Sequence, residues 1–259
     1  MSRVNPHLQH VVVERDGEAT HVVLNRPARG NALNAAMVES LIEIVGAAAE
    51  DGTRLLTLRG SGANFCTGFD MGELSAQNEG DIVVRFLRIE QLLQAVHHAP
   101  LDTIALAHGR VFGAGADLFC ACDSRIASTD ATFRFPGIRF GVVLGTRRLA
   151  SRVGSDWARK IVFDGFELDA EAAVKVGMAT DVIAQDGWDN LAARKLKSGR
   201  ALEVVATRWA RNSLRSDTRD SDMMALVASV SEPGLKQRMI AYRESSRSQV
   251  PNLSDAQCS

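Results

Sequence analysis

Twice along this chain a short apolar run stops at a small-residue loop from which a helix begins. That repeated strand–loop–helix unit restricts the fold more than any other feature of the sequence. The first unit runs from Arg54–Leu58 through Gly60-Ser61-Gly62 and Asn64-Phe65-Cys66-Thr67-Gly68-Phe69-Asp70 to an amphipathic helix over about Ile82–His97. The second runs from Thr103–Ala107 through the loop Gly109–Ala116 into a helix from Asp117 to Cys122. Short apolar runs closed by glycine and followed by helical periodicity are strands feeding helices. The class is therefore α/β, but without strict alternation, because other strands come in pairs. Val11–Glu14 and His21–Leu24 flank Asp16-Gly17 as a hairpin, and Arg125–Ser128 and Thr132–Phe135 are two further short strands.

Around these units the chain is helical. Met37, Val38, Leu41, Ile42 and Val45 recur at helical spacing behind Asn34, a side chain suited to cap the helix that follows. From about Trp157 onward helices dominate: Asp169–Val176 stopped by Gly177, then Trp188–Lys197, Ala201–Leu214, Ser221–Ser231 and Leu235–Arg247. No low-complexity linker divides the 259 residues. The reading is one core, residues 1–195, with a C-terminal helical region, residues 196–259, whose polar tail from Gln249 is expected to fray.

Charge and cysteine usage exclude several function classes. The net charge is −1 with the basic residues spread out, which argues against nucleic acid as a partner. No apolar run approaches the length of a membrane span, and the amino terminus has no apolar signal core, so a cytoplasmic protein is expected. Cys66, Cys120, Cys122 and Cys258 have neither zinc-ligand nor paired-redox spacing. Cys120 and Cys122 read as small core residues, and no metal is expected. Gly113-Ala114-Gly115 lacks the third glycine of a dinucleotide loop, since that place is Leu118. Neither a phosphate-loop, a zinc-protease nor a serine-hydrolase motif occurs.

The two glycine loops carry the chemical interest. At the start of a helix the backbone N–H groups lack partners and the dipole favours negative charge. Two such groups aimed at one point would hold an oxyanion, and small residues let a ligand come close. The candidates are Gly68-Phe69-Asp70 and Gly113-Ala114-Gly115-Ala116-Asp117; the plain alternative is that both are merely tight turns.

In these residues the chain resembles the enoyl-CoA hydratase/isomerase, or crotonase, family. Leu24-Asn25-Arg26-Pro27 with Asn31-Ala32-Leu33-Asn34 is similar to that family's first motif. The loop from Asn64 to Asp70 is similar to its first oxyanion loop. Ala107-His108-Gly109 and Gly113–Asp117 are similar to its central strand and second oxyanion loop, and the stretch from Phe166 to Ala173 to the opening of its C-terminal part. The resemblance implies a spiral of ββα turns followed by C-terminal trimerisation helices, assembled as a homotrimer or homohexamer. It implies an acyl-CoA substrate, with coenzyme A as part of the substrate and no other cofactor. The N–H groups of Phe69 and Ala114 would be the oxyanion donors, with Gly68, Asp70, Gly113 and Gly115 shaping the substrate site. Arg26 and Arg139 are candidate cations for it, Arg139 either pairing with Asp117 or meeting an acidic acyl tail. Arg243 and Arg247 flank Ser245, where the family's basic residue usually stands.

Departures from the family pattern bear on the reaction. The first of the two hydratase glutamate positions is Asp117, one methylene shorter, a difference in reach of about 1 Å. The second is Gly137, which brings no acid or base. The stretch Gly141–Leu149 is shorter than the family's usual glycine-rich one, His108 replaces an asparagine, and the bulk of Phe69 would narrow or redirect the acyl pocket. One carboxylate suffices to shuttle a proton, so isomerase-type chemistry through an enolate is favoured over hydration. Asp117 serves as the base if burial raises its pKa; otherwise it caps the start of its helix. The alternatives are an acyl-CoA hydrolase or decarboxylase on the same fold, or a silent CoA-binding subunit. His97 and His98 close a helix where positive charge suits the dipole. Glu73 and Glu90 lie on helices bordering the pocket, with nothing to bring either to the chemistry.

Overall fold

The first ladder follows from the two β-rich runs at the start of the chain. In the computed structural model, which describes residues 10–248, β1 (Val11–Asp16) pairs antiparallel with β2 (Ala19–Leu24), Val11 opposite Leu24 and Asp16 opposite Ala19. The turn is Gly17-Glu18, so glycine takes the first of its two central places, not the second as an Asp-Gly turn would have it. The other strands are β3 (Leu55–Gly60), β4 (Asp102–Ala107), β5 (Arg110–Phe112), β6 (Ser124–Ala127), β7 (Thr132–Arg134), β8 (Leu168–Asp169) and β9 (Asp181–Val182). They form a six-stranded sheet in the order β1-β2-β3-β4-β6-β9 and a three-stranded one in the order β5-β7-β8. From β2 onward each pairing in the large sheet is parallel. Its central strands are buried on both faces, which is why they read as unbroken apolar runs.

The second sheet reveals the spiral. Beyond the strand it adds to the large sheet, each turn lays a short extended piece on the previous turn. Leu33 bridges Phe69, Cys66 bridges Val111, and β5 pairs with β7, all parallel. The ββα repeat is thus stacked edge to edge, and the two glycine loops lie in adjacent turns.

Helices cover both faces. They are α1 (Ala35–Glu50), α2 (Glu79–His97), α3 (Ala114–Ala121), α4 (Thr146–Val153), α5 (Ser155–Phe163), α6 (Ala170–Lys175), α7 (Trp188–Arg200), α8 (Val204–Leu214), α9 (Arg219–Val230) and α10 (Leu235–Ser248). Asn34 caps α1 by accepting from Met37 N at 3.0 Å, as its side chain suggested. A capping box of Asn78 and Asp81 starts α2 one turn before the expected Ile82. Ile82, Phe86, Ile89, Leu93 and Val96 form the buried stripe of α2 in the main core, while Trp188, Leu191 and Ala192 of α7 close a smaller cluster on the sheet's other face. Cys66, Cys120 and Cys122 are buried core thiols free of disulfides, and burial pushes each of them up, Cys66 and Cys120 to about 12. Cys258 and the tail from Gln249 lie outside the described residues.

Three expectations change. α3 begins at Ala114, not Asp117, because Arg110–Phe112 is a strand rather than loop. Part of the shortened stretch Gly141–Leu149 is the first turn of α4. His97 is no charged helix terminus: its burial, with His98 beside it, lowers its pKa to about 4, so the ring is neutral at neutral pH. Among the described residues no helix is long and apolar enough to cross a membrane.

Candidate active site

The Phe69 and Ala114 amides belong to two loops that the stacking of the turns brings together. Gly68 O accepts from Leu33 N at 2.8 Å, and Asp70 N donates to Leu33 O at 3.1 Å. A trans peptide sets an N–H opposite the preceding C=O, so Phe69 N–H turns away from Leu33. Gly113 O accepts from Asp117 N at 2.9 Å inside α3, which by the same rule turns Ala114 N–H out of the helix end. Neither N–H donates to a backbone carbonyl among the described turns, loops and caps. A Cβ placed on Gly68 would lie 3.3 Å from Ala114 N and 2.7 Å from Phe112 O, so the loops meet at van der Waals distance. Gly68 also sits at φ +92°, where a side chain is strained. Gly115 is required for a different reason: a Cβ there would lie 2.8 Å from Cys66 Cβ and overlap Cys66 O.

Between them opens a cavity of about 360 Å³. Its wall includes Gly68, Phe69, Gly113, Ala114 and Asp117, together with Gly137, Gly145 and Tyr242, the last brought in by α10. Among the described lining residues Asp117 is the one carboxylic acid, and none is Lys, Arg or His.

The surroundings of Asp117 set its protonation. Burial pushes its carboxyl up to about 7; the Arg148 guanidinium pulls it back, Glu90 adds to the rise, and the Gly145 amide donates to it. Gly145 is at φ −82°, an ordinary value, so glycine is needed there only for space: a Cβ would lie 2.7 Å from Asp117 Cγ. The side chain of Asp117 does not cap α3. Arg148 is itself clamped by Glu90 of α2 and by Asp222 of α9, whose Oδ2 lies 3.0 Å away, and all three are buried. Burial raises the Glu90 pKa, with Arg148 opposing.

A latch outside the cavity holds the Phe69 loop. Arg26 meets Asp70 at 2.8 Å and donates to Ala32 O at 2.6 Å, while Asp70 Oδ1 accepts from Gly72 N at 2.8 Å. Burial works against Asp70 ionising, but the Gly72 amide and Arg26 outweigh it and hold its carboxyl below the ordinary range. Arg85 donates to Asp70 O at 2.8 Å and lies 3.9 Å from the Phe69 ring centroid. Asn31, fully buried, ties the first motif to the same loop through Ser61 O and Asn64 O at 2.9 and 2.8 Å.

The structure thus gathers Phe69, Ala114, Asp117, Gly68 and Gly113 in one wall, sets Gly115 behind it against Cys66, and turns Arg26 and Asp70 to each other. Arg139 is not in the lining; its guanidinium lies against Gly165, and the cation acting on Asp117 is Arg148. His108 is a supporting residue, its Nε2 sharing a 2.8 Å hydrogen bond with Gly62 O. Sequence reasoning missed Gly145, Arg148 and Asp222. The one available signal was the glycine and paired arginines of Gly145-Thr146-Arg147-Arg148, which say nothing of the partners on α2 and α9.

Comparison with known proteins fits this frame. Residues 14–245 match the model of the enoyl-CoA hydratase/isomerase family. The chain belongs to that family and shares its crotonase fold. A Bordetella parapertussis protein assigned to the enoyl-CoA hydratases/isomerases superposes with a TM-score of 0.88 at 42% identity, over 90% of this chain and 98% of the other. Mycobacterium bovis echA6, assigned as an enoyl-CoA hydratase, is 34% identical over 165 residues. That match takes in 62% of this chain and 65% of echA6, a little under two thirds of its length. The 2,3-dehydroadipyl-CoA hydratase of Escherichia coli is 31% identical over 69% of this chain and 71% of its own.

Proposed function

We propose that the protein acts on an acyl-CoA thioester through an enolate, moving one proton with one carboxylate. The observation that carries this is that Asp117 is the lone carboxylic acid among the described lining residues of a cavity that Phe69 and Ala114 also line. The thioester oxygen accepts from both N–H groups. Asp117, ionised, takes a proton from the α-carbon of a 3-enoyl thioester, next to the carbonyl. The C–H electron pair moves toward the thioester oxygen, whose developing charge the two amides stabilise. Asp117 then returns the proton two carbons along, so a double bond shifts between the α,β and β,γ positions and nothing is consumed. Hydration calls for a second group to steer water, and Gly137 has no side chain for it. A pKa near 7 suits a group that must both take and release a proton at neutral pH. The subunits are proposed to assemble as a homotrimer or homohexamer through residues 196–259.

The test is proton exchange. A 3-enoyl-CoA incubated with the protein in D2O is expected to take up deuterium and equilibrate with its 2-enoyl isomer, followed by NMR, with no hydroxyacyl product. Asp117→Asn should abolish the exchange. Water addition to crotonyl-CoA, or undiminished exchange by Asp117→Asn, would overturn the reading; thioester hydrolysis or decarboxylation would replace it.

A further inference from the structure

Aromatic side chains are scarce in this chain and unevenly placed. There are ten Phe, three Trp and one Tyr, fourteen rings in 259 residues. Seven of them line the one cavity that holds Asp117, among twenty-two lining residues. Phe69, Phe86 and Phe140 also belong to the main core, which is otherwise built chiefly from Leu, Ile, Val and Ala. The rings come from separate parts of the chain: Phe69 from its loop, Phe86 from α2, Phe112 from β5, Phe135 and Phe140 from the stretch after β7, and Phe163 from the end of α5. Phe69 and Phe86 stack with centroids 4.4 Å apart and planes 20° from parallel, while Phe140 meets Tyr242 of α10 at 5.1 Å and 49°. The wall is therefore built from rings that already contact one another, with Phe69 also against the Arg85 guanidinium.

We propose that the acyl group this cavity accepts is uncharged and ends in an aromatic ring. The inference rests on the acyl-CoA reading above and narrows its substrate class. Rings prefer other rings in offset-stacked or edge-to-face contact, a preference beyond the area buried. An aliphatic chain would gain the area but not that preference. The absence of charge follows from what faces the cavity. Among the described lining residues there is no Lys, Arg or His to meet an acyl carboxylate, and Asp117 would repel one when ionised. The nearby guanidinium groups are engaged with the protein: Arg148 with Glu90 and Asp222, and Arg243 with Met71 O at 2.9 Å. Arg85 is bonded to Asp70 O and to Gln77 Oε1, each at 2.8 Å, and Arg139 lies against Gly165. The Escherichia coli relative is named for 2,3-dehydroadipyl-CoA, whose acyl group ends in a carboxylate, and this wall has no cation for such an end.

The test is calorimetric titration of the wild-type protein with saturated thioesters, which have no double bond to move. 3-Phenylpropanoyl-CoA and 3-cyclohexylpropanoyl-CoA share one carbon skeleton and differ in the π-system; adipyl-CoA carries the charge; CoA alone is the reference. The phenyl thioester is expected to bind about three- to tenfold more tightly than the cyclohexyl one. Adipyl-CoA should bind at least ~100-fold more weakly than the phenyl thioester. Replacing two rim rings together, Phe135→Leu and Phe163→Leu, should bring the phenyl-to-cyclohexyl ratio toward one while both ligands still bind. Should that variant fail to fold, the wild-type panel decides alone. Cyclohexyl binding as tight as phenyl, or adipyl binding as tight as either, overturns the inference and leaves the acyl-CoA reading standing. If no thioester binds more tightly than CoA, the acyl-CoA reading itself falls.

Discussion

At the scale of single residues, the site depends on what Asp117 costs the fold. Its carboxyl, up to about 7 in the folded protein against an ordinary 3.8, holds its proton more tightly folded than unfolded. The sign follows from linkage: stability from this group is full below about pH 4, falls as pH rises toward 7, and is level beyond. The burden at pH 8 is at most roughly 4 kcal/mol, since each tenfold change in proton affinity is worth about 1.4 kcal/mol. Asp117→Asn removes the charge at every pH. Urea unfolding should therefore find the variant gaining on wild type between pH 4.5 and pH 8, in the same range where wild-type activity rises with ionisation of the base. Curves that stay parallel across that range would mean the carboxyl is not perturbed. Much of this residue's setting was legible beforehand. The motif Gly113–Asp117 marked the acid, and burial was named as the condition for its use. Gly145 was not legible, because its need for glycine comes from a neighbour 28 positions earlier in the chain rather than from its own backbone angles.

Among elements, the cavity depends on three helices tied together beneath it. Glu90 on α2, Arg148 on α4 and Asp222 on α9 are almost fully buried; Gln94 and Thr218 donate to carboxylate oxygens that Arg148 also meets, at 2.9 and 2.8 Å, and Arg147 meets the other Asp222 oxygen at 2.9 Å. A buried ion cluster adds little over a well-packed apolar one, but removing one partner strands the others. Arg148→Met should cost about 3–5 kcal/mol in denaturant unfolding. The loss should be smaller at pH 5 than at pH 8, because Glu90, left without its cation, can then take up a proton, and Asp117, deprived of its attracting cation, should titrate higher still. An equal loss at both values would point to packing rather than charge. Local signals served the elements well where they were self-contained: Asn34 fixed the start of α1, and periodicity located α1, α2 and α7. They misplaced the start of α3 and missed α4. The glycines and alanines of 113–116 read as loop because their helix is held by close packing on Cys66, a contact made across turns of the spiral. The cluster of Glu90, Arg148 and Asp222 is equally non-local, and no spacing in the chain announces it.

For the whole molecule, the unbalanced feature is α8. None of its eleven residues is buried, although Val204, Val205, Trp209 and Leu214 are large and apolar; Trp209 is 62% and Leu214 87% exposed. Leu202 just before it is exposed as well, and so are Met224 and Val227 on α9. Within one subunit α8 is held by its Glu203 cap and by the ion pair of Arg211 with Asp102, with the pairing of Arg215 and Asp123 just beyond its end. A helix this short gains most of its stability from packing an apolar face, and apolar exposure on this scale marks an interaction surface. Other copies of the same chain would cover it, which agrees with the proposed trimer. Light scattering at micromolar concentration is expected to give the mass of three or six chains. Trp209→Glu with Leu214→Glu should reduce it to the mass of one while the cavity's ligand binding, set by residues on other elements, persists in weakened form. A wild-type protein that stays monomeric at that concentration would leave the face without its partner and defeat the trimer.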